Sequence, residues 1–319
     1  MKRIIKLLLG VCLSACLILP LAACQTNNKD KITIVCTVYP QYDWTLEVLG
    51  DRKEAFEVRY LLNNGIDLHS FQPSVSDIAA ISTCDLFIYT GGESDAWAET
   101  VLNTAVNKDM AAVVLTEVVE AKEEEIVEGM QEEDGEGEEE PEYDEHVWLS
   151  LKNAQIIVAE IADAICKLDA QNADAYRKNA GDYNARLAAL DGEYRSAVDS
   201  GSKDTVLFGD RFPFRYLVND YQLSYYAAFP GCSAETEASF GTLQFLINKI
   251  NELDLRVILV IETSDKAVAQ TLRRDSAAKN QSILVMHSCQ SVTSGDISGG
   301  VTYLSIMTDN LDVLRQALA

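Results

Sequence analysis

The chain has three histidines in 319 residues: His69 in GIDLHSFQPSVSD, His146 in PEYDEHVWLSLKN and His287 in SILVMHSCQS. Imidazole is the commonest protein ligand for zinc and binds it as the neutral ring. Each histidine stands in a loop or at the edge of an element. His69 lies between a strand pattern and a helix pattern. His146 closes a dense acidic run and opens an apolar segment. His287 ends the last strand pattern. In open α/β sheets, ligands bind outside the carboxyl ends of the strands. Singly, each would read as a surface or capping histidine. Three of three at such positions point to a shared metal site. The chain has no HExxH pattern for a metalloprotease and no CxxC spacing for a thiolate zinc site.

The segments that must position these residues alternate. KITIVCTVYP, AFEVRYLLN, CDLFIYTGG and MAAVVLTEVV read as strands, with helical patterns at YDWTLEVLG, SVSDIAAIST and AWAETVLNTAV. After the acidic run, LKNAQIIVAEIADAICKLD is an amphipathic helix. A second set repeats the alternation, with strands at DTVLFGD, LSYYAAF, LRVILVIET and SILVMHS. Such alternation implies parallel sheets with helices on their faces. Between the sets, residues 171–200 place Tyr176, Ala180, Tyr183, Leu187, Leu190, Tyr194 and Ala197 on one helical face. At roughly 1.5 Å per residue this helix is about 45 Å long. The expected architecture is α/β, with two lobes, each a parallel sheet flanked by helices, joined by one long rigid helix and with the metal site in the cleft between them.

The N-terminus has the build of an export signal: Lys2, Arg3 and Lys6 precede an apolar stretch. LAAC at 21–24 resembles a lipobox, which implies cleavage before Cys24 and lipid on that cysteine. An uncleaved membrane anchor is the competing reading. The formal net charge of -24 makes nucleic acid and anionic membrane surfaces poor partners. Residues 120–145 hold fifteen Asp/Glu against one Lys, and EGMQEEDGEGEEEPE within them reads as a mobile loop, either a solvated insertion or a low-affinity collector of cations beside a binding site. Five cysteines lie beyond Cys24, so at least one is unpaired. Cys232 and Cys289 each follow a strand of the second set. We expect a disulfide between them in an oxidising compartment, against the alternative of two buried thiols.

The histidine segments also carry a resemblance. GIDLHSFQPSVSD and EHVWLSLKNA resemble the first two ligand motifs of the zinc- and manganese-binding solute-binding lipoproteins of ABC importers. PGCSAETEAS resembles that family's paired-glutamate segment, and GVTYLSIMTDNLDVLRQAL its C-terminal helix. The resemblance spans the mature chain. It implies a lipid-anchored, extracytoplasmic, monomeric binding protein that delivers a metal to a permease and is not an enzyme. It divides the chain into a signal peptide (1–23), tether (24–30), N-terminal lobe (31–170), linking helix (171–200) and C-terminal lobe (201–319). The family's third ligand opens the second lobe, where FGDRFPFRYLV offers Asp210, with Arg211 competing for the register. The last family ligand, usually an aspartate, corresponds to the neighbourhood of His287. The implied set is His69, His146, Asp210 and His287, with Glu235 and Glu237 as alternative oxygen donors. Three nitrogens and one oxygen suit Zn2+ better than Mn2+. Two other readings stay open: a binding protein for an organic ligand or iron chelate, and a metallohydrolase.

Overall fold

The computed structural model describes residues 31–130, 143–233 and 237–319. The expected signal peptide, Cys24, the tether, residues 131–142 of the acidic run and Glu235 lie outside the described residues.

Two four-stranded parallel sheets repeat one topology. The first contains β1 (Ile32–Cys36), β2 (Phe56–Tyr60), β3 (Leu86–Tyr89) and β4 (Ala111–Val114) in the order β2-β1-β3-β4. The second contains β5 (Thr205–Phe212), β6 (Ser224–Pro230), β7 (Val257–Val260) and β8 (Ser282–Val285) in the order β6-β5-β7-β8. The inner strands LFIY and VILV are buried along their whole length, as expected of parallel strands covered on both faces. The connections are helices. In the first half these are α1 (Tyr39–Leu49), α2 (Val75–Thr83), α3 (Trp97–Thr104) and α4 (Leu115–Val118), followed by α5 (Leu151–Leu168). In the second half they are α7 (Arg215–Tyr221), α8 (Phe240–Glu252), α9 (Ala267–Asp275), α10 (Ser294–Ser298) and α11 (Tyr303–Ala317). MAAVVLTEVV, read as one strand, divides into β4 and the single turn α4. No described helix is long and apolar enough to cross a membrane.

Between the halves, α6 runs from Ala173 to Ser200. Its buried residues are the seven that the periodicity selects. It packs on α1 and α5 of the first half and on α7 and α11 of the second. The C-terminal helix α11 crosses back as well. The Tyr303 backbone N–H donates to Asp43 at 3.1 Å, and its hydroxyl donates to the Trp148 carbonyl at 2.6 Å. One apolar core therefore runs through both halves, and a second, smaller one lies between the second sheet, α8 and α9. The halves are thus packed against each other as well as tethered by α6.

Gly181 lies on the exposed side of α6, and a Cβ there would meet nothing within 4 Å. Gly181→Ala should therefore stabilise the protein by about 1 kcal/mol, the helix-propensity difference. Chemical denaturation checks this. A destabilised variant would show that the outer face of α6 is covered in the working protein.

The described stem of the acidic insertion, ahead of the segment expected to be a mobile loop, is anchored. The Lys122 backbone N–H donates to the Tyr216 hydroxyl, and Glu125 pairs with Arg215 at 2.8 Å. The first half thus reaches over to the second next to the cleft.

Candidate metal centre

His69 and His146 come together at the carboxyl edge of the first sheet, with their Nε2 atoms 3.3 Å apart. Local chemistry fixes each ring. Asp67 caps a short helical turn at Leu68–Ser70 by accepting the His69 backbone N–H at 3.1 Å. His69 Nδ1 lies 2.8 Å from Ser94 Oγ, on the loop after β3. Asp144 Oδ1 accepts both the His146 backbone N–H, at 2.8 Å, and the His146 ring at Nδ1, at 2.9 Å. That carboxylate fixes the tautomer and leaves the Nε2 lone pair for a ligand, a common arrangement behind metal-binding histidines. Trp148 packs edge-on against the His146 ring and donates its indole N–H to the Ser288 carbonyl of the second half at 2.8 Å.

Glu145 completes the pocket wall. One carboxylate oxygen accepts the Ser94 N–H at 2.8 Å, while Oε2 is buried with no hydrogen-bond partner among the described residues. Gly92 permits this approach. Its φ is +93°, and a Cβ there would stand 2.5 Å from Glu145 Oε1. Any other residue would be strained and would push the carboxylate away.

The electrostatics divide the two rings. Burial, the neighbouring His146 and the Arg211 guanidinium push His69 down to about 3, so it stays neutral. Burial also opposes charge on His146, but Asp144 outweighs it and raises the pKa. Two Nε2 lone pairs directed at each other are unfavourable without a shared proton or cation. Two nitrogens each about 2.0–2.1 Å from one tetrahedral ion would lie roughly 3.3 Å apart. The spacing of the two nitrogens in the structure matches that distance.

A cleft lined from both halves lies beside the histidine pair, which does not itself line it. Asp67 and Ser70 face Gly209, Asp210, Arg211 and Thr263 across this cleft of about 330 Å³. Arg211 spans it, donating to Asp67 Oδ2 at 2.7 Å and to the Ser233 carbonyl at 3.2 Å. Burial pushes Asp67 up, but Arg211 and His69 outweigh it and hold the carboxyl below its ordinary value. Strand β5 shifts register between Phe208 and Arg211, and such bulges redirect side chains next to sites.

Among the described residues, the other expected ligands are not gathered with the histidine pair. Asp210 accepts the backbone N–H groups of Arg211 at 2.8 Å and Ile261 at 3.3 Å, which ties β5 to the end of β7. His287 Nδ1 accepts the Cys289 N–H at 2.9 Å and lies 3.3 Å from Glu262. Glu237 is exposed. The expected disulfide is corrected: Cys232 and Cys289 are both free thiols. Cys289 is fully buried, and its backbone is left-handed at φ 64°. Cys232 turns the other way. Its sulfur and one ring nitrogen from each of His69 and His146 all lie within 4.8 Å of one another. Among the described residues this is the cluster able to hold a metal ion. The sequence, which suggested Cys289 as the partner of Cys232, carried no sign of this proximity. Glu145 was lost in the acidic run.

Asp144→Asn is expected to lower metal affinity by about 10–100-fold, the usual loss when the partner behind a ligating histidine is removed. Metal titration checks this, and an unchanged affinity would remove Asp144 from the site.

A binding protein built on two like sheets, with an imidazole pair at the cleft between them, is the class that the fold and site define. The chain belongs to the family ZnuA, described as the zinc-uptake complex component A, periplasmic, which matches residues 34–317. It is 30% identical over 321 residues to the zinc-binding lipoprotein AdcA of Streptococcus pneumoniae, covering 99% of this chain and 61% of AdcA. The chain thus spans less than two thirds of that relative. It is also 30% identical over 313 residues to the high-affinity zinc uptake system protein ZnuA of Bacillus subtilis, with 96% of each covered. The crystal structure of the Zn(II)-bound ZnuA-like domain of Streptococcus pneumoniae AdcA superposes with a TM-score of 0.71 at 27% identity, covering 90% of this chain and 99% of that one.

Proposed function

We propose that the protein captures Zn2+ outside the cytoplasm and delivers it to the permease of an ABC importer, held at the membrane through lipid on Cys24. It is a binding protein whose cargo is the metal. The single observation that carries this reading is the pair of imidazole nitrogens of His69 and His146, 3.3 Å apart, with the tautomer of His146 set by Asp144. The names of the relatives agree with it, since AdcA is a zinc-binding lipoprotein and the Bacillus subtilis ZnuA a zinc uptake protein. Borderline zinc suits imidazole donors, whereas manganese favours oxygen.

Metal analysis of protein purified without added metal, followed by thermal unfolding with added zinc, tests the reading. One tightly held zinc is expected. Zinc at a hundred times Kd should stabilise the fold by about 2.7 kcal/mol. Stabilisation by manganese and not by zinc would transfer the site to manganese. No response to either ion would end the reading. Asp210→Ala and His287→Ala should each leave zinc affinity within a few-fold of the parent, because both side chains are engaged in their own half. A large loss in either would mean that the halves close further to bring that residue onto the metal.

A further inference from the structure

We infer that Cys232 binds the cargo metal through its sulfur as the third ligand, making the centre a two-imidazole, one-thiolate site. This rests on the function proposed above and assigns a residue within it. His69 comes from the loop after β2, His146 from the turn before α5 and Cys232 from the loop after β6. These three segments are remote in sequence, yet their ligand atoms fall within 4.8 Å of one another. With zinc about 2.3 Å from sulfur and 2.0–2.1 Å from each nitrogen, sulfur and nitrogen would stand roughly 3.5 Å apart, so the trio draws together on binding.

The loop that presents Cys232 is built for a fixed position. Its backbone N–H donates to Glu124 Oε1 at 3.0 Å, so the stem of the acidic insertion clamps it from the first half. The next residue, Ser233, takes a hydrogen bond from Arg211, whose other arm holds Asp67, the residue that caps the His69 turn. One guanidinium thus ties the His69 turn to the Cys232 loop across the cleft. On the other side, Gly231 packs on the end of β5 so closely that a Cβ would lie 2.8 Å from the Phe212 carbonyl. The chain on both sides of Cys232 is therefore held.

On binding, the thiol releases its proton to solvent and the thiolate sulfur donates an electron pair to the metal, with no change of oxidation state. A thiolate adds softness to the site and weights it toward zinc and against manganese. The resulting centre differs from the three-imidazole, one-carboxylate set implied by the sequence resemblance.

Cobalt(II) is the probe. The cobalt-loaded protein should show visible bands of a tetrahedral centre together with a near-ultraviolet sulfur-to-cobalt charge-transfer band. Cys232→Ser should lose the charge-transfer band while retaining cobalt, and its zinc affinity should fall by at least about 10–100-fold, the loss that even an outer partner brings. Cobalt bound by the parent without that band would overturn the inference and leave zinc capture standing. The same holds if the band survives in Cys232→Ser. Failure of the parent to bind either metal would bring down both the inference and the function beneath it. Should the variant not fold, alkylation of the parent with iodoacetamide decides. Zinc should protect Cys232 on peptide mapping, and equal labelling with and without zinc would refute ligation.

Discussion

His146→Ala is expected to abolish tight zinc binding, and His69→Ala to do the same. Structural zinc sites bind with about 10–16 kcal/mol over four ligands, so one ligand is worth roughly 2.5–4 kcal/mol, or about 60- to 700-fold in affinity. The fold should survive. In His146→Ala, Asp144 still receives the backbone N–H of residue 146 at 2.8 Å. In His69→Ala, the Asp67 cap and its pairing with Arg211 remain. Affinity in the parent should also fall toward acid pH, because protons compete with the metal for the ring nitrogens. His146 decides where this begins, since its pKa is raised while His69 stays neutral down to about 3. Calorimetric titration across pH measures both effects. Retention of parental affinity in either alanine variant would remove the histidine pair from the site.

Trp148→Ala should cost about 3–5 kcal/mol of stability, the range for removing a large buried aromatic side chain. Trp148 has no exposed surface and belongs to the core that runs through both halves. Its ring backs His146, and its indole N–H holds the Ser288 carbonyl of the second half. Trp148→Phe separates the two roles. It keeps most of the packing but leaves a buried carbonyl without its donor, at a cost of about 1–3 kcal/mol. Denaturant unfolding of both variants checks the order of effects. Equal stability of Trp148→Phe and the parent would show that the link to Ser288 contributes nothing.

Much of this protein was determined by local pattern. The face of α6 was legible because burial along one helix follows a 3.6-residue period whatever it packs against. The parallel sheets were legible because strands covered by helices on both sides must be apolar throughout. The meeting of His69 with His146 was legible because histidine is scarce here and both fall in loops beside strand ends. The remainder depended on where loops from different segments meet, which no period encodes. Compartment and strand-end position suggested a partner for Cys232, yet the packed structure sets its sulfur within 4.8 Å of a ring nitrogen from each of two imidazoles. The resemblance pointed to Asp210 and His287 by alignment. Tertiary structure bound Asp210 to the backbone at β7 and His287 to Glu262 and the Cys289 N–H. A ligand set is a coincidence of atoms within a few ångströms, and only the packing of the two halves brings such atoms together.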